Sequence, residues 1–333
     1  MDSLLKKGRL AKLVSLLGSI CVTLGCSTIT PNPPPKEEMW PNWSPDSQQL
    51  VYECYLDGPI EEGSRSILDF DEGEGIYQSF YAPEAADICI TDLNVNNQIR
   101  LIDDSGRDWK PVWSPDGTQI AYFRWDGIYT ISPDGQHKRQ LVPLRRDEFD
   151  SNDYHDATFL VWSPDGKHLL FSACLDNLDR DIYVVDAKSG QVVNLTPESR
   201  RQDIMPQWTL DGTKIVYLST NSSLWSKSCR LKRDAPHQLM VMNRDGRDSR
   251  VIYNEAFYYA FISVSNDGQI LFVTDMVSKM ADDFFYPPVD NRILYRINVE
   301  GKELIKLPAQ DNHFLVSPSW SPDGTRLVYR GIG

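Results

Sequence analysis

The sequence predicts an all-β fold, a six-bladed β-propeller of four-stranded antiparallel blades with an incomplete last one. Three observations carry that prediction. First, the chain of 333 residues writes one short phrase repeatedly: WSPDSQQLVY from Trp43, WSPDGTQIAY from Trp113, WSPDGKHLLF from Trp162, WTLDGTKIVY from Trp208 and WSPDGTRLVY from Trp320, with a weaker VSNDGQILF from Val264. Second, an apolar run ending in another turn follows most copies, as in DICITDL from Asp87, GIYTISPDG from Gly127, DIYVVDAKSG from Asp181, QLMVMNRDG from Gln238 and ILYRINVEG from Ile293. Third, the copies start 70, 49, 46, 56 and 56 residues apart, and four short strands every 45 or so residues is the pattern of a propeller blade.

The N-terminal 25 residues stand apart. Lys6, Lys7, Arg9 and Lys12 precede the apolar run Leu13 to Gly25, which as a helix would rise only about 20 Å, short of a ~30 Å hydrocarbon core. Residues 1–25 therefore read as a signal peptide. The segment ends in TLGC, which resembles the bacterial lipobox and makes Cys26 the expected lipid-attachment residue; a secreted form cut at the same place, without lipid, is the alternative. Residues 26–39 contain STITPNPPPKEE, a Pro-rich spacer that reads as stiff and extended. The propeller is assigned to residues 40–333.

Within each unit a first strand, A, leads through the Trp into a four-residue turn. Pro pre-sets φ for the second turn position, Asp suits the third, and Gly the fourth. Ser47 stands where the other strong copies have Gly, at an expected cost of roughly 1 kcal/mol if the left-handed conformation is kept. Strand B follows the turn, and C and D form a second hairpin. The repeated Trp residues are expected between blades, each burying about 150–250 Å².

The motif W-S-P-D-G-x-x-[IL]-[VAL]-[YF] followed by D-I-Y-V resembles the Pro-Asp, WD-like repeat of TolB-type β-propellers, and the resemblance covers about Trp40 to Tyr329. It implies the propeller fold and leaves function to the individual loops; the N-terminal segment and its lipobox-like end make the expected location periplasmic or outer-surface, with a lipid anchor.

Those loops are distributed unevenly. The A–B and C–D turns lie on one face of such a disc and are short. The B–C loops and the D–A links lie on the other face, and they carry all the long insertions, Leu56–Ala86, Val142–Thr158, Ser219–His237, Asn254–Phe261, Asp275–Asn291 and Ala309–Phe314. Binding loops of repeat proteins concentrate on one face in this way. On it, Glu38, Asp108 and Asp203 each sit five residues before a Trp. They either ring the mouth of the central channel or cap their own turns. Tyr258, Tyr259, Phe284, Phe285 and Tyr286 belong to one unit and form either an exposed aromatic patch for a partner or packing beneath their own loops.

Composition narrows the function classes. With 34 basic and 47 acidic residues the formal charge is -13, which repels phosphate backbones and argues against a nucleic-acid partner. No G-x-S-x-G or H-E-x-x-H occurs, and the five histidines are scattered around the disc, so no metal site and no cofactor is expected. Cys54, Cys89, Cys174 and Cys229 lack C-x-x-C spacing; Cys54 and Cys89 fall in neighbouring strands and are either bridged or two separately buried thiols. The expectation is an exported, monomeric, non-catalytic propeller, anchored by lipid at Cys26, that binds an envelope protein or cell-wall-associated ligand. The alternative is a carbohydrate-binding or carbohydrate-active propeller using the acidic mouth and the aromatic patch.

Overall fold

The computed structural model of the chain describes residues 19–23, 39–55, 86–92, 97–102, 106–144, 159–175, 179–197, 201–221, 237–257, 260–265, 269–275, 292–306, 314–320 and 327–332. After β1 (Ser19–Thr23), the first blade is β2 (Met39–Trp43), β3 (Gln49–Tyr55), β4 (Ala86–Asp92) and β5 (Ile99–Arg100). The second is β6 (Asp108–Trp113), β7 (Ile120–Arg124), β8 (Gly127–Ile131) and β9 (Arg139–Pro143), and the third β10 (Leu160–Trp162), β11 (His168–Ala173), β12 (Asp181–Asp186) and β13 (Val192–Asn194). The fourth is β14 (Arg201–Trp208), β15 (Lys214–Asn221), β16 (His237–Asn243) and β17 (Arg250–Phe257); the fifth is β18 (Ala260–Val264), β19 (Gln269–Asp275), β20 (Arg292–Asn298) and β21 (Ile305–Lys306). Each is an antiparallel meander in chain order, and the first strands of successive blades touch, which puts strand A innermost.

Five blades are four-stranded, not six. The last two strands, β22 (Phe314–Trp320) and β23 (Leu327–Ile332), join β1 in a three-stranded sheet of order β1-β23-β22. Ser19 to Thr23 pair antiparallel with Gly331 to Leu327. The expectation of six blades with an incomplete last one is corrected to five: among the described residues, the two strands that follow the fifth blade are joined by one N-terminal strand in a sheet of three, not in a sixth four-stranded blade. That strand lies within the segment read as a signal peptide.

The blades pack through both faces, which is why strand B is a continuous apolar run rather than an alternating one. Ile120 and Tyr122 pack with Val51, Ile88 and Ile90 of the first blade, whereas their neighbours Ala121 and Phe123 pack with Leu160, Trp162 and Phe171 of the third, as the period of 2 dictates. Trp43, Trp113, Trp162 and Trp208 are all buried, each contributing roughly 4–6 kcal/mol of gross apolar burial.

The repeated turn has one construction. Ser114 Oγ donates to Asp116 Oδ1 at 2.6 Å, the Thr118 N–H donates to the same oxygen at 3.0 Å, and the Gln119 N–H donates to Ser114 Oγ at 2.9 Å. Ser44 with Asp46, Ser163 with Asp165 and Thr209 with Asp211 repeat the first contact at the same 2.6 Å. Those hydroxyl bonds hold the four aspartates below the usual carboxylate range. The turns also pack on one another. A Cβ on Gly117, Gly166 or Gly212 would lie 3.7–3.8 Å from Pro45, Pro115 or Pro164 of the preceding blade. The phrase therefore touches its own next copy, in addition to turning the corner. Ser47 keeps the left-handed conformation at φ 58°.

Candidate functional site

The short-turn face is closed by these repeated hydrogen bonds. On the opposite face the B–C connections run through 56–85 in the first blade, 125–126 in the second, 174–180 in the third, 222–236 in the fourth and 276–291 in the fifth. The described site residues on this face come from the starts of the inner strands and the ends of strands B.

Asp108 opens β6 and is fully buried. In the cross-strand register it faces Arg124, whose Nε lies 3.3 Å from Asp108 Oδ1. The Arg124 guanidinium occupies the space where a side chain on residue 106 would be, since a Cβ on Gly106 would fall 1.7 Å from its Nη2. Burial pushes the Asp108 carboxyl up to about 7; Lys138 opposes the rise, and Asp87 and Asp126 add to it. Asp87 of the first blade is itself ion-paired with Arg100. The Tyr129 hydroxyl donates to Asp126 Oδ2 at 3.1 Å, while Arg124 and Lys138 sit 5.8 and 5.5 Å from the Tyr129 ring centroid. The boundary of the first two blades thus holds three carboxylates and three cations at one place.

Asp203 occupies the equivalent register position in the fourth blade and is also buried. It faces Ser219, which donates to its carboxylate and accepts from Arg201 Nε at 2.7 Å. The Asp203 N–H donates to the Arg180 carbonyl at 2.7 Å, and the Arg180 N–H donates to Gln202 Oε1 at 3.1 Å, tying the third blade to the fourth. Asp108 and Asp203 are therefore engaged inside the disc, each across its own blade, with the third blade between them. Glu38, Tyr258, Tyr259, Phe284, Phe285, Tyr286 and Cys26 lie outside the described residues.

The inner wall is not purely acidic. Lys110 is 5% exposed and its Nζ sits 4.6 Å from the centroid of Phe159, which packs against the cluster containing Met205. Inner strands of three successive blades meet through these side chains. His237 is buried, and its pKa is pushed down to about 4 by that burial. Among the described residues, no group of three or more His, Cys, Asp or Glu side chains is placed to hold a metal ion.

Two features escaped the sequence reading although their signals were present. The first is Pro two residues before the Trp, at Pro41, Pro111, Pro206 and Pro318. In all four inner strands the register shifts there, between Met39 and Asn42, Trp109 and Val112, Ile204 and Gln207, and Val316 and Ser319. Pro has no N–H to continue the ladder, so the strand bulges. Lys110 and Met205, each just before its Pro, take φ 51° and 53°. The inner strands without this Pro, β10 and β18, run unshifted. The second is Trp125, at the tip of the two-residue B–C turn and 55% exposed. Its turn is held by the Leu144 N–H and by Gln140 Nε2, which donate to the Asp126 carbonyl at 2.9 and 3.0 Å.

The fold is a β-propeller whose repeated short turns lie on one face and whose longer connections leave from the other, and its architecture is similar to that of solved propellers of several kinds. A structure of a protein from Agrobacterium tumefaciens assigned as TolB superposes with a TM-score of 0.62 at 20% identity, over 95% of this chain and 98% of that one. An oligogalacturonate lyase in complex with manganese superposes at 0.55 with 14% identity, over 88% and 70%. By sequence, Tricorn protease homolog 1 of Streptomyces coelicolor is 31% identical over 109 residues, 33% of this chain but only 10% of that protein. No family model matches the chain. Proteins as different as these share the architecture, so the loops, not the fold, must separate their functions.

Proposed function

We propose that this chain is a non-catalytic binding propeller of the cell envelope that takes a protein partner on the face of its B–C loops and D–A links. The observation that supports this most is the asymmetry of the disc. One face is built from repeated, hydrogen-bonded four-residue turns, and connections such as 56–85, 222–236 and 276–291 all leave from the other. The aromatic residues Tyr258, Tyr259, Phe284, Phe285 and Tyr286 are the proposed anchors, and Glu38 is a further proposed contact. Asp108 and Asp203, being buried, support the wall behind. The formal charge of -13 favours a partner with a basic face and disfavours nucleic acid. Export is favoured by the Cys54–Cys89 disulfide, since such bonds persist in oxidising compartments, and Cys26 is the proposed lipid anchor.

In-cell cross-linking, followed by identification of the captured proteins, tests the reading. Alanine at Tyr258, Tyr259 and Tyr286 should abolish the captured partner while leaving the thermal melt unchanged. Unaltered capture would remove the aromatic anchor, and binding in a cell-wall glycan screen without any protein partner would overturn the assignment. Cys26→Ser should lose labelled fatty acid and leave the membrane fraction; retained label would sink lipidation.

A further inference from the structure

One half of a second covalent link stands at the end of β11. Cys174 is disulfide-bonded and 7% exposed. Cys54 and Cys89 are bonded to each other, so the remaining candidates for its partner are Cys21, Cys26 and Cys229. Topology separates the three. Cys21 lies on β1 opposite Tyr329 of β23, in a sheet whose β22 packs on β18 and β19 of the fifth blade. β11 belongs to the third blade, which packs on the second and the fourth. Whole blades therefore lie between Cys21 and Cys174, whereas a disulfide spans about 4.4–6.8 Å between Cα atoms. Cys26 follows the end of β1 by three residues, at most about 10 Å of chain, and shares that placement.

Cys229 is within reach. Ala173 pairs with Asp181, the Asp203 N–H donates to the Arg180 carbonyl at 2.7 Å, and Gln202 pairs with Thr220, next to Asn221 at the end of β15. Three lateral steps of about 5 Å each bring the end of β15 to roughly 15 Å from Cys174. His237, which pairs with Thr220, lies one such step further. Cys229 is eight residues past Asn221 and eight before His237, the midpoint of the 222–236 connection. Eight extended residues reach at most about 26 Å, so both arms are long enough.

We propose that Cys174 and Cys229 form a disulfide strap, which fastens the midpoint of the 222–236 connection to the third blade and presents that connection in one position. The anchor is rigid: the Leu175 N–H donates to the Tyr183 hydroxyl at 3.3 Å, and the Arg180 N–H to Gln202 Oε1 at 3.1 Å. The bond forms by exchange with a disulfide-bearing oxidant such as oxidised glutathione. One cysteine thiolate attacks the oxidant's disulfide and expels one thiol, and the other cysteine thiolate displaces the second. The two cysteine sulfurs thereby give up two electrons and their two protons, and the oxidant leaves as two thiols. Tying the midpoint leaves two short arms in place of one long loop, which lowers the entropy that binding would have to order. That last consequence rests on the binding face proposed above; the pairing does not.

Non-reducing proteolysis of wild-type protein from cells, with free thiols alkylated first and the peptides identified by mass spectrometry, tests the pairing. A Cys174 peptide joined to a Cys229 peptide is expected. Cys174 joined to Cys21 or Cys26, or alkylated beside an intact Cys54–Cys89 bond, would overturn the strap. Protein refolded in a glutathione redox buffer separates pairing from export: the link found there but not in protein from cells supports the strap and counts against export, and its absence from both removes the strap. Trypsin reads the tether, because Lys227, Arg230, Lys232 and Arg233 flank Cys229. Cys174→Ser and Cys229→Ser should raise cleavage at those sites several-fold and equally, and combining them should add nothing. The Cys54→Ser, Cys89→Ser double variant should not reproduce the effect. Unequal or additive effects of Cys174→Ser and Cys229→Ser would show two cysteines acting separately and overturn the proposal.

Discussion

Glu53 of the first blade accepts a hydrogen bond from the main-chain N–H of Lys110 in the second, at 2.8 Å and in full burial. Lys110 is the residue that the following Pro forces out of the ladder, at φ 51°. The carboxylate thus satisfies an amide that the bulge would otherwise orphan, and it does so across a blade boundary. Glu53→Ala should cost about 2–3 kcal/mol, the penalty of an unsatisfied buried donor with a charged partner removed. Glu53→Gln keeps an acceptor and should recover most of that loss. Urea denaturation of the two variants checks this, and equal losses would show that the hydrogen bond is not what Glu53 provides.

Two glycines of the repeat should respond differently to alanine. Gly117 is left-handed, and its nearest neighbour to an added Cβ is a Pro45 carbon at 3.8 Å. Only the conformational cost of about 1 kcal/mol applies there. Gly246 is also left-handed, but its Cβ would meet the Leu195 carbonyl oxygen at 2.7 Å, so overpacking against backbone adds a further 1–3 kcal/mol. Ser47→Gly should move the other way and stabilise by roughly 1 kcal/mol, because Ser47 already holds φ 58°. Melting curves of the three variants should rank Ser47→Gly above wild type and Gly246→Ala last.

Buried Asp108 and His237 should give stability opposite pH slopes. The Asp108 pKa is raised by burial to about 7, so its stabilising contribution is full below 4 and is lost as pH rises through 7. The His237 pKa is lowered by burial to about 4, so below 6.5 the unfolded chain binds a proton that the fold refuses, and stability falls as pH drops towards 4. In the shared window the two oppose each other. Urea midpoints at pH 4.5, 5.5 and 6.5 should rise with pH in Asp108→Asn and fall with pH in His237→Gln. Parallel profiles in the two variants would contradict both assignments.

What the sequence made legible was the part that repeats. Trp113, Asp116 and Gly117 recur because every blade needs the same filler and the same turn, so their pattern reveals the strands directly. Closure was not legible, because Ser19–Thr23 has the composition of a leader and pairs with a partner some 300 residues away. The burial of Asp108 and Asp203 was hidden for a different reason. An acid at a strand start looks solvent-facing, and only the cross-strand register shows Arg124 or Ser219 opposite it. Trp125 carries no insertion signal, because it stands in a two-residue B–C turn and not in a long insertion.

The choice between a bridge and two separate thiols at Cys54 and Cys89 resolves as a disulfide across β3 and β4, with the Cα atoms 5.8 Å apart. Its sequence separation of 35 residues encloses the connection 56–85, so the bond clamps the base of the first long loop. Closing a loop of that size in the unfolded chain should stabilise the fold by roughly 4 kcal/mol in the chain-entropy model. Cys174 is disulfide-bonded as well, its partner outside the described residues. The Cys54→Ser, Cys89→Ser double variant should therefore melt well below wild type, and reductant should lower the wild-type melt further than it lowers that of the variant, because two bonds are lost instead of one. If reductant leaves the wild-type melt unmoved, the bridges do not form in solution, and the support they lend to export goes with them.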